Sequence, residues 1–420
     1  MTVHGRSHPR TRCQPRHAAR SRRRVQALAA VLATLALTTG CGLTGASRAG
    51  PTWVDKPDLP PAEARPDLPT PQDQGPPVPG APGRPDRPGQ SGEGDPSVVA
   101  TRLALPWGLA LLPDGTAIVG ERTTGRIVRV RPEAGKPVEP IMTIGGLDTS
   151  GGGGLLGLAL SPAYQEDRLV FAYVTTPTDN RVLRFELGGT PQPILTGIPS
   201  GPSDNGGRLA FGPDGSLYVG TGDTGRPALA ADPTSLAGKV LRVTPFGTPA
   251  PGNPFGGSPV YATGFHDVAG LCFDSRRQLF ATDRGDGQHD EVNLVRPGLN
   301  YGWPTAVGRT GRSGLADAVV TLRSAESVVG GCGVISFGLF VAALDGTRLW
   351  AVPLDGAGHP TGTPQALLRD QYGRLRTVVP APDGALWLTT SNKDGHGRPG
   401  PDDDRVIRIL PPPSTTTSPV

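Results

Sequence analysis

The chain has 420 residues, including 61 glycines and 48 prolines, with 5% aromatic residues and a net charge of +4. Two or three domains would fit that length, but all-β single domains also run this long. The charge excess sits in the N-terminal arginines, so the basic balance points to no nucleic-acid partner.

In chain order, residues 1–40 read as an export signal peptide. Arg20-Ser21-Arg22-Arg23-Arg24 precedes the apolar run 25–37, which is too short to span a bilayer as a mature helix. The arginines resemble a twin-arginine export signal, and 37–41 resembles a bacterial lipoprotein cleavage site with Cys41 as the lipidated residue. The alternative is plain secretion. The expected location is the outer face of the cell membrane, held through a lipid anchor only. Residues 41–97 carry no periodic apolar pattern, and 57–96 is dense in Pro, Gly, Asp and Arg, so this stretch is expected to be a disordered tether. In polyproline geometry it reaches on the order of 100 Å. Residues 413–420 are expected to be a short disordered tail.

From 98 to 412 the chain repeats. Units begin at Trp107, Gly154, Gly206, Val268, Gly331 and Thr377. Each reads as apolar strand, turn, apolar strand, polar loop and third strand, with Pro-Asp-Gly recurring at 113–115, 213–215 and 382–384. Six such units without an amphipathic helix predict an all-β six-bladed β-propeller, the alternative being a pair of β-sandwiches. Cys272 and Cys332 are an even pair in an exported body. They predict a disulfide, with two buried thiols as the alternative.

Propeller ligands bind on loops at the mouth of the central channel. The stretch 203–225 is one hairpin flanked by Asp204 and Asp223, whose strand lengths can return both carboxylates to one edge; otherwise Asp204 is a turn residue and Asp223 a loop cap. His266, Asp267, Asp286, Asp290, Glu291, Arg374 and Arg376 fall on comparable polar ends. The 283–291 stretch, DRGDGQHDE, is the densest oxygen-ligand loop and suits Ca²⁺, with a solvated acidic loop as the alternative. Arg374 and Arg376, two apart on a strand, suit a polycarboxylate, with plain surface charge as the alternative. The run 402–404 reads as solvated. The glycine pattern at 152–157 opens a strand and not a helix, which argues against a dinucleotide site.

The segments LPWGLALLPDG, GGLLGLALSP, DNGGRLAFGPDGSLYVGTGD, SLAGKVLRVTP, NPFGGSPVYATGF, DEVNLVRPGLNYGWP and GRLRTVVPAPDG resemble the soluble sugar dehydrogenases that depend on pyrroloquinoline quinone (PQQ), the glucose/sorbosone dehydrogenase family of six-bladed propellers. The resemblance implies oxidation of an aldose or related polyol, with PQQ and Ca²⁺ as cofactors. It implies a proton acceptor at position 204, where the family has His and this chain has Asp204, and Asp223 as its orienting partner. At the cofactor it implies Arg374 and Arg376 as a carboxylate clamp. His266 and Asp267 replace the family's Arg-Asn pair there, and Gly285-Asp286 replaces the Gly-Pro whose carbonyls hold the cofactor's Ca²⁺. Gly152 and Asp345 stand where the family has a Gln or Glu and a Lys. Asp290, Glu291 and Tyr301 match elements of a structural Ca²⁺ site. The acidic replacements work against an anionic quinone. They leave two other readings open: a catalytically silent carbohydrate- or protein-binding propeller, and a calcium-dependent lactonase-like hydrolase.

Overall fold

The structure, a computed structural model, describes residues 95–411. The expected leader, Cys41, nearly all of the tether and the tail lie outside the described residues. Strand formation follows from the alternation of the sequence. In the first half of blade three, Leu209 pairs with Val219 and Phe211 with Leu217. Between them, Gly215 takes φ +74°, which glycine adopts at little cost. Asp214 Oδ1 accepts the Ser216 amide at 3.1 Å. The same aspartate-to-backbone bond recurs at Asp114, which accepts the Thr116 amide, and at Asp383, which accepts the Ala385 amide. One local device therefore builds three of the blades.

Six four-stranded antiparallel sheets result. Blades one to five span 106–143, 155–198, 209–263, 267–323 and 329–367. Blade six combines 375–409 with Val98–Ala100 from the start of the body, where Val98 pairs with Ile407. The first strand of each blade packs on the first strand of the next, and the last of these on the first, so the ring closes as a six-bladed β-propeller. Apolar side chains fill the gaps between blades: Trp107, Phe171, Leu209 and Leu241 in one layer, and Val99, Val119 and Trp387 where the ring closes.

The three-stranded repeat unit is incomplete, because each blade has a fourth, outer strand. Glu139–Thr143 has no fully buried position and Gln365–Leu367 is three residues long, so neither carries a strong apolar signal. The 402–404 run also departs from expectation. Asp403 and Asp404 are buried, because Asp404 accepts the Asn392 amide at 2.5 Å and Asp403 accepts the Gly400 amide at 2.7 Å. The 152–157 glycine pattern leads into the strand Leu155–Leu160. Cys272 and Cys332, on the inner strands of blades four and five, are bonded, with Cα atoms 5.8 Å apart. Among the described residues no helix is long and apolar enough to cross a membrane.

Candidate functional site

Three chain segments meet at one end of the ring. The Asp223 amide donates to the His266 carbonyl at 2.7 Å, and the Thr224 amide to the Asp204 carbonyl at 3.0 Å. Gly222 makes this meeting possible, since a Cβ there would stand 1.8 Å from the Asp204 carbonyl oxygen. Asp204 itself takes φ +50°, a left-handed conformation that costs a non-glycine residue and is often kept at functional positions.

The two hairpin ends do reach one place, and His266 joins them. Its Nε2 lies 3.6 Å from Asp204 Oδ2 and 4.0 Å from Asp223 Oδ2. Its Nδ1 lies 2.6 Å from the Gly285 carbonyl oxygen and its ring stacks on Trp303 at 4.3 Å. Trp303 Nε1 in turn donates to Asp223 Oδ2 at 2.7 Å. Burial alone would push the His266 imidazole down. The Asp204 carboxylate, with Asp283 and Asp267 nearby, overrides this and pushes it up to about 10. Burial likewise raises Asp204, but His266 and the Ser203 hydroxyl outweigh it and hold Asp204 below the usual carboxylate range.

Beside this cluster a cavity of about 490 Å³ is lined by Asp204, Asp267, Gly152 and four arginines, Arg122, Arg284, Arg374 and Arg376. Two arginines are already neutralised. Arg284 Nη1 donates to Asp267 Oδ2 at 2.7 Å. Arg374 donates to Asp394 at 2.9 and 3.0 Å and also to Asp345. Arg376 is different: it donates to the Ser391 hydroxyl at 3.1 Å, and Asp394 is 3.6 Å away. Burial and the neighbouring arginines Arg284, Arg122 and Arg374 push its guanidinium well below its usual value. Arg122 donates to the Gly153 carbonyl at 3.1 Å and is also lowered by burial. Beneath the floor, Arg208 stacks on Trp107 at 4.2 Å and donates to the Ala269 carbonyl and the Thr377 hydroxyl, both uncharged. Among the described residues Arg122 and Arg208 form no ion pair, whereas Arg376, 3.6 Å from Asp394, shares that carboxylate with Arg374, and Asp345 and Asp394 line the cavity beside the four arginines.

The remaining sequence candidates lie elsewhere. Asp286 is exposed and accepts the Gln288 and His289 amides. Asp290 is buried and accepts from Gly285, Ser324, Ser327 and Val329. Glu291 accepts from Gly308 and Asn293, and the Tyr301 hydroxyl donates to the Leu294 carbonyl. Protein donors therefore already occupy the carboxylate oxygens assigned to structural Ca²⁺. The Gly285 carbonyl, assigned to the cofactor's Ca²⁺, is capped by His266. Among the described residues, the one group of three His, Cys, Asp or Glu side chains with converging ligand atoms is Asp204, Asp223 and His266. Sequence reasoning passed over Arg122, Arg284, Asp394 and Trp303. Trp303 follows Tyr301 in a quoted segment and Arg284 follows Asp283 in the acidic stretch, so both had a local signal. Arg122 and Asp394 had none.

Four arginines thus line one cavity of a closed six-bladed propeller. The chain matches the Glucose / Sorbosone dehydrogenase family over residues 103–328 and 332–398, and it belongs to that family. A PQQ-bound aldose sugar dehydrogenase structure from Streptomyces coelicolor is 46% identical, with a TM-score of 0.72, covering 74% of this chain and 95% of that one. Quinoprotein glucose dehydrogenase B of Acinetobacter calcoaceticus is 30% identical over 274 residues, and the match spans 56% of this chain but only 57% of that enzyme. Aldose sugar dehydrogenase YliI of Escherichia coli is 25% identical, over 71% of this chain and 90% of that enzyme.

Proposed function

We propose that this protein is a PQQ-dependent dehydrogenase of an aldose or related polyol, exported and held at the cell surface through Cys41 and the 41–97 tether. The observation that carries the reading is Arg376, a buried guanidinium on the cavity lining whose one hydrogen-bond partner is the Ser391 hydroxyl and whose one nearby carboxylate, Asp394 at 3.6 Å, it shares with Arg374. A planar polycarboxylate suits the guanidinium donors and fits the roughly 490 Å³ of space. Arg376 and Arg122 would hold its carboxylates, with Arg374 contributing as far as Asp345 and Asp394 release it. When bound, the quinone supplies the oxidant that takes a hydride from the sugar carbon. Asp204, on the cavity wall, accepts the proton of the substrate hydroxyl. Trp303, fixed by its bond to Asp223, stacks on the adjoining His266 ring and holds it in place. Because His266 keeps Asp204 a weak base, proton transfer is less assisted than with a free imidazole near neutral pH. No role is derived for Ca²⁺, since the Gly285 carbonyl is occupied by His266.

With quinone added, the protein is expected to reduce a redox dye in the presence of aldoses, and Asp204→Asn to slow turnover by about 100-fold or more. A second reading is favoured by the pre-paired Arg374 and the capped Gly285: a propeller that binds a carbohydrate without oxidising it. Sugar binding with no dye reduction at saturating quinone would support that reading and remove the first.

A further inference from the structure

We propose that Asp204 Oδ2, Asp223 Oδ2 and His266 Nε2 form a binding site for one divalent transition-metal cation, Zn²⁺ by the chemistry of the donor set. The first argument is the tautomer. His266 Nδ1 faces two carbonyl oxygens, Gly285 at 2.6 Å and Arg284 at 3.1 Å, which can only accept. A ring hydrogen therefore sits on Nδ1, and Nε2 is the atom turned toward the carboxylates, from which a cation would displace the second proton of the imidazolium. A metal-binding histidine is oriented in just this way, by donating its other ring N–H to a carbonyl.

The second argument is the gap. Nε2 stands 3.6 and 4.0 Å from the two carboxylate oxygens, too long for hydrogen bonds. All three donor atoms lie within 4.8 Å of one another. Metal–ligand bonds of about 2.0–2.2 Å in tetrahedral geometry place ligand atoms roughly 3.3–3.6 Å apart. Small inward shifts of the carboxylates satisfy that spacing.

The third argument is the support behind the ligands. Trp303 stacks on the His266 ring and donates from Nε1 to Asp223 Oδ2, while the Gly225 amide donates to Asp223 Oδ1 at 2.8 Å. One side chain thus orients two of the three ligands. Asp223 is fully buried, so its charge has lost water and gains from a cation.

Two carboxylates and a neutral imidazole cancel the charge of a dication. The nitrogen donor selects Zn²⁺ over Ca²⁺, which takes oxygens. Of the three ligands, Asp204 lies on the cavity wall. The site does not rest on the dehydrogenase reading. In an active enzyme, an ion there would occupy the carboxylate that accepts the proton, and Zn²⁺ would inhibit.

The test is calorimetric titration of the tag-free, chelator-treated protein with ZnCl₂ and, in parallel, CaCl₂, with no quinone present. One Zn²⁺ per chain is expected, with Ca²⁺ binding weaker. His266→Ala and Asp204→Asn should each weaken Zn²⁺ at least tenfold. Asp204→Asn changes a partly exposed loop residue and guards against a folding failure in the other variant, and circular dichroism checks both. Absence of saturable Zn²⁺ binding, or binding unchanged in both variants, overturns the proposal. Neither result bears on quinone binding, so the two readings fail separately.

Discussion

His266 is held in a position where its charge state is coupled to the fold. Its imidazole is pushed up from 6.5 to about 10 by the surrounding carboxylates, so the metal-free folded state favours the imidazolium. A raised folded-state value contributes stability that is complete below the unfolded value and lost as pH rises through the folded one. The window of loss therefore runs from about 6.5 toward about 10. Histidine ring NMR of the metal-free protein should show one imidazole still protonated at pH 8, and Asp204→Asn should lower its titration midpoint. A ring that titrates near 6.5 in the parent protein would contradict the ion-pair geometry. At this scale the sequence was half legible. The meeting of Asp204 with Asp223 follows from strand lengths within one hairpin. His266 belongs to the start of the next blade, and its approach depends on backbone bonds between blades that no local pattern announces.

Among the elements, the inner strands carry the design. The repeat units read from the sequence begin within a few residues of where these strands begin. The outer strands were not legible, because a short edge strand facing solvent needs few apolar side chains. The Cys272–Cys332 bond links the inner strands of blades four and five across a sequence separation of 60 residues. Closing a loop of that size removes unfolded-state entropy worth about 4 kcal/mol in the chain-entropy model. Calorimetry with and without reductant should therefore show a lower Tm for the reduced protein. An unchanged Tm with both thiols demonstrably free would show that the link adds nothing to the packing between these blades.

For the whole molecule, closure of the ring depends on three residues from the beginning of the body. Val99, in the strand Val98–Ala100, is buried against Val119 and Trp387. Val99→Asp places an unpaired charge in that seam and should cost on the order of 3 kcal/mol, whereas Leu410→Asp, at an exposed position, should cost little. Chemical denaturation of both variants measures the difference, and equal midpoints would contradict this closure. The six-fold repeat was readable because each blade restates the same turn chemistry. The use of Val98–Ala100 to complete blade six was not, since three residues show no period and their partner lies some 300 positions away.

The closed ring gathers Arg122, Arg374 and Arg376 around one cavity, with Arg376 sharing Asp394 with Arg374 and holding no carboxylate of its own, and the proposed activity depends on this. The most direct measurement is a titration of the purified protein with PQQ, followed by absorbance, with and without Ca²⁺, alongside Arg376→Ala. Saturable binding, weakened at least tenfold by Arg376→Ala, is the predicted result. No binding by the parent protein, or equal binding by the variant, would contradict the assignment of this cavity to a quinone.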